Sequence, residues 1–442
     1  MAKKMKKKRE TEKERMERKE KMEKKREKKL ARKIAKREAV ATVEPVEPDE
    51  PVVDEGICDE VCEEIEDVDL EELSAEVFED TSLWWDVFRK LKSDQKPELL
   101  YATFEKGVDE EFWEKLGLFD AVSGVFDTLI ADEQIEEGIT LLETLKKQVP
   151  GQYMDHFSHY DCNLLYYYAP LQEDERIDEI IGHFEKDPGD NVYKLFVALN
   201  ILRLYGMADG VDRLSTTAYQ KLKDFDLVTP SGLDELHQLS VFCTFRKYAT
   251  SPDYGKKEAE EEFYRELDAR DFWEYEAKEA ACERLRKNVL VLRGELEPDW
   301  KRGDFLISDG CYRENVVQLG TEFVHYMYAE KSIEWVTGDL LCELALDYFA
   351  GIPERRVGFY FSFSKNYLDK YLGGFFGFFT DDAKGVAALK AVEYFCYFLY
   401  ERGIYDDRAL KAVKRAMNVF SEPMRDICER NSWKCRFVEM WE

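Results

Sequence analysis

Ile135-Glu-Glu-Gly-Ile-Thr-Leu-Leu-Glu-Thr-Leu-Lys-Lys-Gln-Val-Pro-Gly151 sets the reading of the whole chain. Its apolar residues Ile135, Ile139, Leu142, Leu145 and Val149 recur at intervals of 4, 3, 3 and 4, which places them on one face of a helix and leaves the opposite face to Glu and Lys. The segment then runs into Pro-Gly. A second stretch, Ile177-Asp-Glu-Ile-Ile-Gly-His-Phe-Glu-Lys-Asp-Pro-Gly189, follows the same plan, and its Pro188 stands 38 residues after Pro150. Each is succeeded by another apolar helical segment, ending in Leu164-Leu-Tyr-Tyr-Tyr168 or Ile201-Leu-Arg-Leu-Tyr205. Units of this kind cannot cover their apolar faces alone and stack on their neighbours. The expected fold is therefore all-α, an α-solenoid of stacked helical hairpins.

Towards the C-terminus the pattern returns as a helix through Tyr400 and then Arg402-Gly-Ile-Tyr-Asp-Asp-Arg-Ala-Leu-Lys-Ala-Val413. With Gly403, Asp406, Asp407 and Ala409 in this turn and the helix-closing Pro150 and Pro188, the chain resembles the tetratricopeptide-type helical-hairpin repeats over about residues 130–230 and 383–420. Its spacing is 38 where that family uses 34, Gly138 stands where a small Ala is usual, and no Trp-x-x-Leu-Gly signature recurs. The resemblance implies a concave face that takes up peptides. That family often grips acidic peptides through basic clamps; the charge of this chain turns the expectation towards a basic or apolar ligand.

The 442 residues carry 65 Lys and Arg against 94 Asp and Glu, a net charge of −29, unevenly distributed. Residues 1–40 hold 20 basic and 8 acidic residues; residues 41–80 hold 18 acidic residues and no Lys or Arg; the body, 81–442, carries −23, with a possible subdivision near 250–300. In the first segment Glu14–Arg18, Glu17–Lys21 and Glu20–Lys24 support a solvated single helix of coiled-coil-like composition, or a disordered arm. Lys3, Lys4, Lys6, Lys7, Lys8, Arg9, Lys24, Lys25, Arg26, Lys28 and Lys29 are its candidate polyanion contacts. With no aromatic to stack on bases, any nucleic-acid binding there is expected to be non-specific. The second segment, broken by Pro45, Pro48 and Pro51, reads as an acidic linker. Its Cys58 and Cys62 lack the further ligands a zinc site needs.

At 44% hydrophobic residues the chain is too apolar to be disordered throughout, and no run reaches the roughly 20 apolar residues a membrane-spanning helix requires. Ten cysteines, most of them isolated in apolar contexts, point to a reducing compartment, cytoplasm or nucleus.

Chemistry is sparse. Five histidines are present, and the densest cluster is Asp155-His156-Phe-Ser-His159. On a continuous helix Asp155, His156 and His159 share a face and form a candidate metal trio; satisfied helix histidines are the plainer reading. Glu179 and His183 are also four apart, without a second motif to complete a carboxylate bundle. No nucleophile elbow, Rossmann fingerprint or P-loop occurs. No catalytic residue and no cofactor is therefore assigned. Two aromatic stretches are core by default and partner surfaces if exposed: residues 359–379, with Phe359, Phe361, Phe375 and Phe376, and the tail with Trp433 and Trp441. The period-2 run from Val357 to Phe363 reads as a strand or a buried helix. Three functions remain open: an interaction adaptor for a protein or peptide, a ribonucleoprotein-associated factor using the basic arm, and a metal-dependent enzyme.

Overall fold

The structure, a computed structural model, describes residues 73–441 except 109, 226–227, 273–277, 354–357, 376–381 and 431. Among these residues there are nineteen α-helices and no strand. In chain order they are α1 Thr81–Lys90, α2 Lys96–Lys106, α3 Glu110–Leu116, α4 Leu118–Ala131, α5 Ile135–Gln148, α6 Pro150–Asp155, α7 Phe157–Tyr168, α8 Asp174–Lys186, α9 Val192–Leu204 and α10 Ala208–Leu222. After them come α11 Pro230–Thr250, α12 Lys257–Ala269, α13 Lys278–Leu292, α14 Tyr312–Lys331, α15 Trp335–Gly351, α16 Lys365–Gly373, α17 Asp382–Glu401, α18 Asp407–Arg430 and α19 Phe437–Met440. The folded chain starts ahead of α1, because Val77 and Phe78 on a short 3-10 turn are already buried.

Local chemistry explains many of the boundaries. The Asp80 carboxylate accepts from the Ser82 N–H at 2.8 Å, and Asn191 and Thr229 cap α9 and α11 in the same way. Pro97 and Pro230 occupy first-turn positions where a missing N–H costs nothing. Pro150 does the same, so it opens α6 instead of closing α5; Pro188 lies in the turn before α9. Ile139, Leu142 and Leu145 are buried along α5, as the spacing predicts.

Sequential helices pack in pairs, α4 on α5, α7 on α8, α10 on α11 and α14 on α15. Other contacts join distant parts of the chain. Helix α9 lies against α15, and the C-terminal segment reaches back, with the Trp433 ring 6.2 Å from Phe126 and 5.9 Å from Tyr166, and Phe437 6.1 Å from Tyr205. The tail thus docks on early helices as well as on the last hairpin, where the Tyr394 hydroxyl of α17 donates to the Trp441 carbonyl at 2.9 Å. The period-2 run forms neither strand nor helix among its described residues: Phe359 makes a single antiparallel bridge with Leu306, and Phe361 packs 5.5 Å from Phe395. Burying aromatics of this size contributes roughly 2–3 kcal/mol each.

Candidate functional site

Where α11, α13, α14 and α15 diverge they leave a cavity of about 730 Å3. This is within the size range of ligand pockets. One wall is apolar, built by Phe242 and Phe245 of α11, Leu292 of α13, Val317 and Val324 of α14, and Leu346 of α15. The other is acidic. Asp339, Glu343 and Asp347 follow one another every fourth residue along α15, and Asp234 and Glu235 face them from α11. Close approach of α14 and α15 under the cavity needs Gly320, where a Cβ would stand 2.9 Å from Cys342 Sγ.

Beneath the acidic wall sits Arg203 of α9, fully buried. Its Nη2 lies 2.9 Å from Asp339 Oδ2 and 2.8 Å from Glu343 Oε2. The remaining Nε and Nη1 donate to no protein group among the described residues. Both carboxylates keep access to the cavity, their side chains 28% and 35% exposed, so each spends one oxygen on Arg203 and has another to offer. The side chains of Asp234, Glu235 and Asp347 take part in no ion pair or hydrogen bond among the described residues. Five carboxylates thus converge on one directly paired cation, with Lys384 of α17 as a further attractive charge near Glu235 and Glu343.

The protonation behaviour follows. Burial raises the Asp339 carboxyl to about 6, Arg203 opposing and Glu343 reinforcing the rise. Burial and then Glu343 also raise Glu235. Burial works in the same direction on Glu343, yet Arg203 and Lys384 hold it below the ordinary carboxylate value. Crowded carboxylates of this kind are relieved by a proton or by a bound cation. Ser231, His237, Gln238, Asn288 and Thr321 supply the other polar groups of the lining, and His237 is occupied at 2.7 Å by the Arg270 carbonyl. The arrangement suits binding.

The residues expected from the sequence fall elsewhere. Helix ends at Asp155, and His156, with φ of −133°, separates α6 from α7. The break has a cause: Tyr153 donates its hydroxyl to the buried Asp161, eight residues on, and a continuous helix would hold those positions about 12 Å apart. Asp155, His156 and His159 consequently do not share a helix face. His156 stacks at 4.6 Å on Phe119, His159 stands 3.4 Å from Asn191 Nδ2, and burial lowers the His159 imidazole, aided by Lys194. Among the described residues no group of three or more His, Cys, Asp or Glu is placed to hold a metal ion. Glu179 pairs with Lys146 at 2.8 Å, and His183 Nδ1 with Asp161 at 2.8 Å.

The aromatic candidates are core. Phe359, Phe361, Trp433 and Trp441 are buried, and Phe375 is half-buried beside Tyr371. None offers an open partner surface, because each is packed on other rings of the same chain. Phe376 and the basic residues Lys3, Lys4, Lys6, Lys7, Lys8, Arg9, Lys24, Lys25, Arg26, Lys28 and Lys29 lie outside the described residues, as do Cys58 and Cys62. Cys162, Cys243, Cys311, Cys342, Cys396, Cys428 and Cys435 form no disulfide, and among the described residues no helix is long and apolar enough to cross a membrane.

Sequence reasoning passed over Arg203, Glu235, Asp339 and Glu343. The available signals were an Arg inside the otherwise apolar Leu202-Arg203-Leu204, and three acids four residues apart on one face of a largely apolar helix, a spacing that costs helix stability. Comparison with protein-family models, with curated proteins and with solved structures finds no match for this chain.

Proposed function

We propose that the chain is an interaction adaptor whose stacked hairpins, tetratricopeptide-like in plan, present this pocket to a basic segment of a protein partner. The observation that carries the reading is the imbalance at the pocket: five carboxylates against one paired guanidinium, opposite an apolar wall. An arginine or lysine side chain has the matching form, with an apolar stem for Phe242 and Leu346 and a cationic head for Asp339 and Glu343. Cavities that join a large apolar wall to a few converging polar groups are the usual form of ligand sites.

Calorimetric titration of the full chain with short Arg- and Lys-containing peptides tests the reading. Binding is expected, weakening at least about tenfold in the double variant Glu235→Gln, Asp347→Asn, which corresponds to about 1.4 kcal/mol. Affinity is expected to rise with pH as Asp339 ionises near 6 and then to level off. Equal affinity for acidic and basic peptides, or an unaffected double variant, refutes it.

A further inference from the structure

A second surface on the same body complements the pocket. Helix α18 is long and exposed on its outer side, and between positions 408 and 421 it carries Arg408, Lys411, Lys414 and Arg415 and no acidic residue. All four are exposed, and none forms an ion pair among the described residues. In a chain of net charge −29, four cations in two helical turns without an acid between them form a local reversal of sign. Ala412 and Val419 are exposed on the same side, Val419 by 50%. The pocket mirrors this composition: Val317 at its apolar wall is 60% exposed beside the acidic groups. Lengths match as well. Arg408 to Arg415 spans about 10 Å of helix and Asp339 to Asp347 about 12 Å, each two turns long.

We propose that the basic occupant of the acidic pocket is helix α18 of a second copy of this chain, Arg408, Lys411 and Arg415 meeting Asp339, Glu343 and Asp347. The inference rests on the cation-binding reading above and adds the occupant. No ion pair joins the two patches within one copy among the described residues, and the proposed contact is heterologous: each copy offers one stripe and one pocket, and copies add head to tail. Net repulsion between like-charged copies is screened within about 8 Å at physiological salt, which leaves short-range pairs to decide the outcome.

Sedimentation velocity on the full chain tests the idea. Wild type is expected to self-associate with rising concentration. The stripe variant Arg408→Glu, Arg415→Glu and the pocket variant Glu235→Gln, Asp347→Asn are each expected to lose at least about tenfold in association constant. All four positions are exposed or half-buried, and both variants are expected to keep the wild-type circular dichroism spectrum. Mixed together, the two variants are expected to form a 1:1 dimer and nothing larger, since the mixture holds one intact pocket and one intact stripe per pair. Wild type that stays monomeric to its solubility limit, a stripe variant that associates as wild type does, or a mixture that yields no dimer overturns the proposal. Basic-peptide binding at the pocket in those same samples leaves the adaptor reading standing; loss of both sinks the two together.

Discussion

Two buried polar networks in this molecule are built on opposite principles. In the first, Asp161 is fully buried and both its oxygens are used: Tyr153 donates to one, and His183 Nδ1 lies 2.8 Å from the other. Phe157 and Phe184 pack alongside, and no partner is missing. In the second, Arg203 is equally buried, yet among the described residues two of its nitrogens find no acceptor, and its carboxylate partners extend into a cavity that collects three further acids. Completeness is what separates the two networks. A closed network fixes a core, whereas an open one retains electrostatic energy that a proton or a bound cation relieves.

The largest effect is expected where the network is closed. Replacing Asp161 by Ala leaves the Tyr153 hydroxyl and the His183 ring without their acceptor in an aromatic core, and the loss in unfolding free energy should be on the order of 3 kcal/mol or more. Urea unfolding followed by fluorescence measures it; a change below about 1 kcal/mol would make the two networks equivalent and remove the contrast.

Arg203→Met comes next, at about 1–3 kcal/mol, because Met fills the volume and removes two unmatched donors while it strands Asp339 and Glu343. Its signature is a pH dependence. Asp339 holds its proton more tightly folded than unfolded, so the folded state gains from protonation, and the stability linked to this group falls as pH rises from about 4 to about 6 and is level above. Without Arg203 to pull it down, the Asp339 carboxyl rises further, and the decline should extend above pH 6. Thermal unfolding between pH 4 and 8 distinguishes the two profiles, and coincident curves would show that Arg203 does not hold Asp339.

Periodicity made the helices legible. Ile139, Leu142 and Leu145 face the core as their spacing requires, and Gly403 does adopt the left-handed backbone expected of a tight turn, with φ of 69°. What periodicity cannot encode is a constraint between residues on different helices. His156 looks like mid-helix until the Tyr153–Asp161 bond, which forces the chain to turn, is known. Arg203 and Asp339 are 136 positions apart, and nothing local in either helix announces the other. Aromatic richness at residues 359–379 reported on burial, as it usually does, and gave no pointer to the acidic cavity. Similar reasons hid the reach of the tail: nothing near Trp433 or Phe437 in the sequence points to their neighbours Phe126, Tyr166 and Tyr205 in the first half of the body.

The smallest effect is the most discriminating because its sign is in question. If the acidic pocket existed for stability, neutralising Glu235 and Asp347 would weaken the fold. An open network predicts the reverse. Asp347 follows Glu343 by four residues, a like-charge spacing that costs a helix about 0.2–0.5 kcal/mol, and Glu235 is raised by burial and by Glu343. Glu235→Gln with Asp347→Asn should therefore leave the fold unchanged or stabilise it by up to about 0.5 kcal/mol at pH 7, while removing affinity for cations. A gain in melting temperature coupled to a loss of basic-peptide binding identifies carboxylates kept for a ligand; a drop in melting temperature would assign them to the same class as Asp161 and leave the cavity without a purpose that its charge explains.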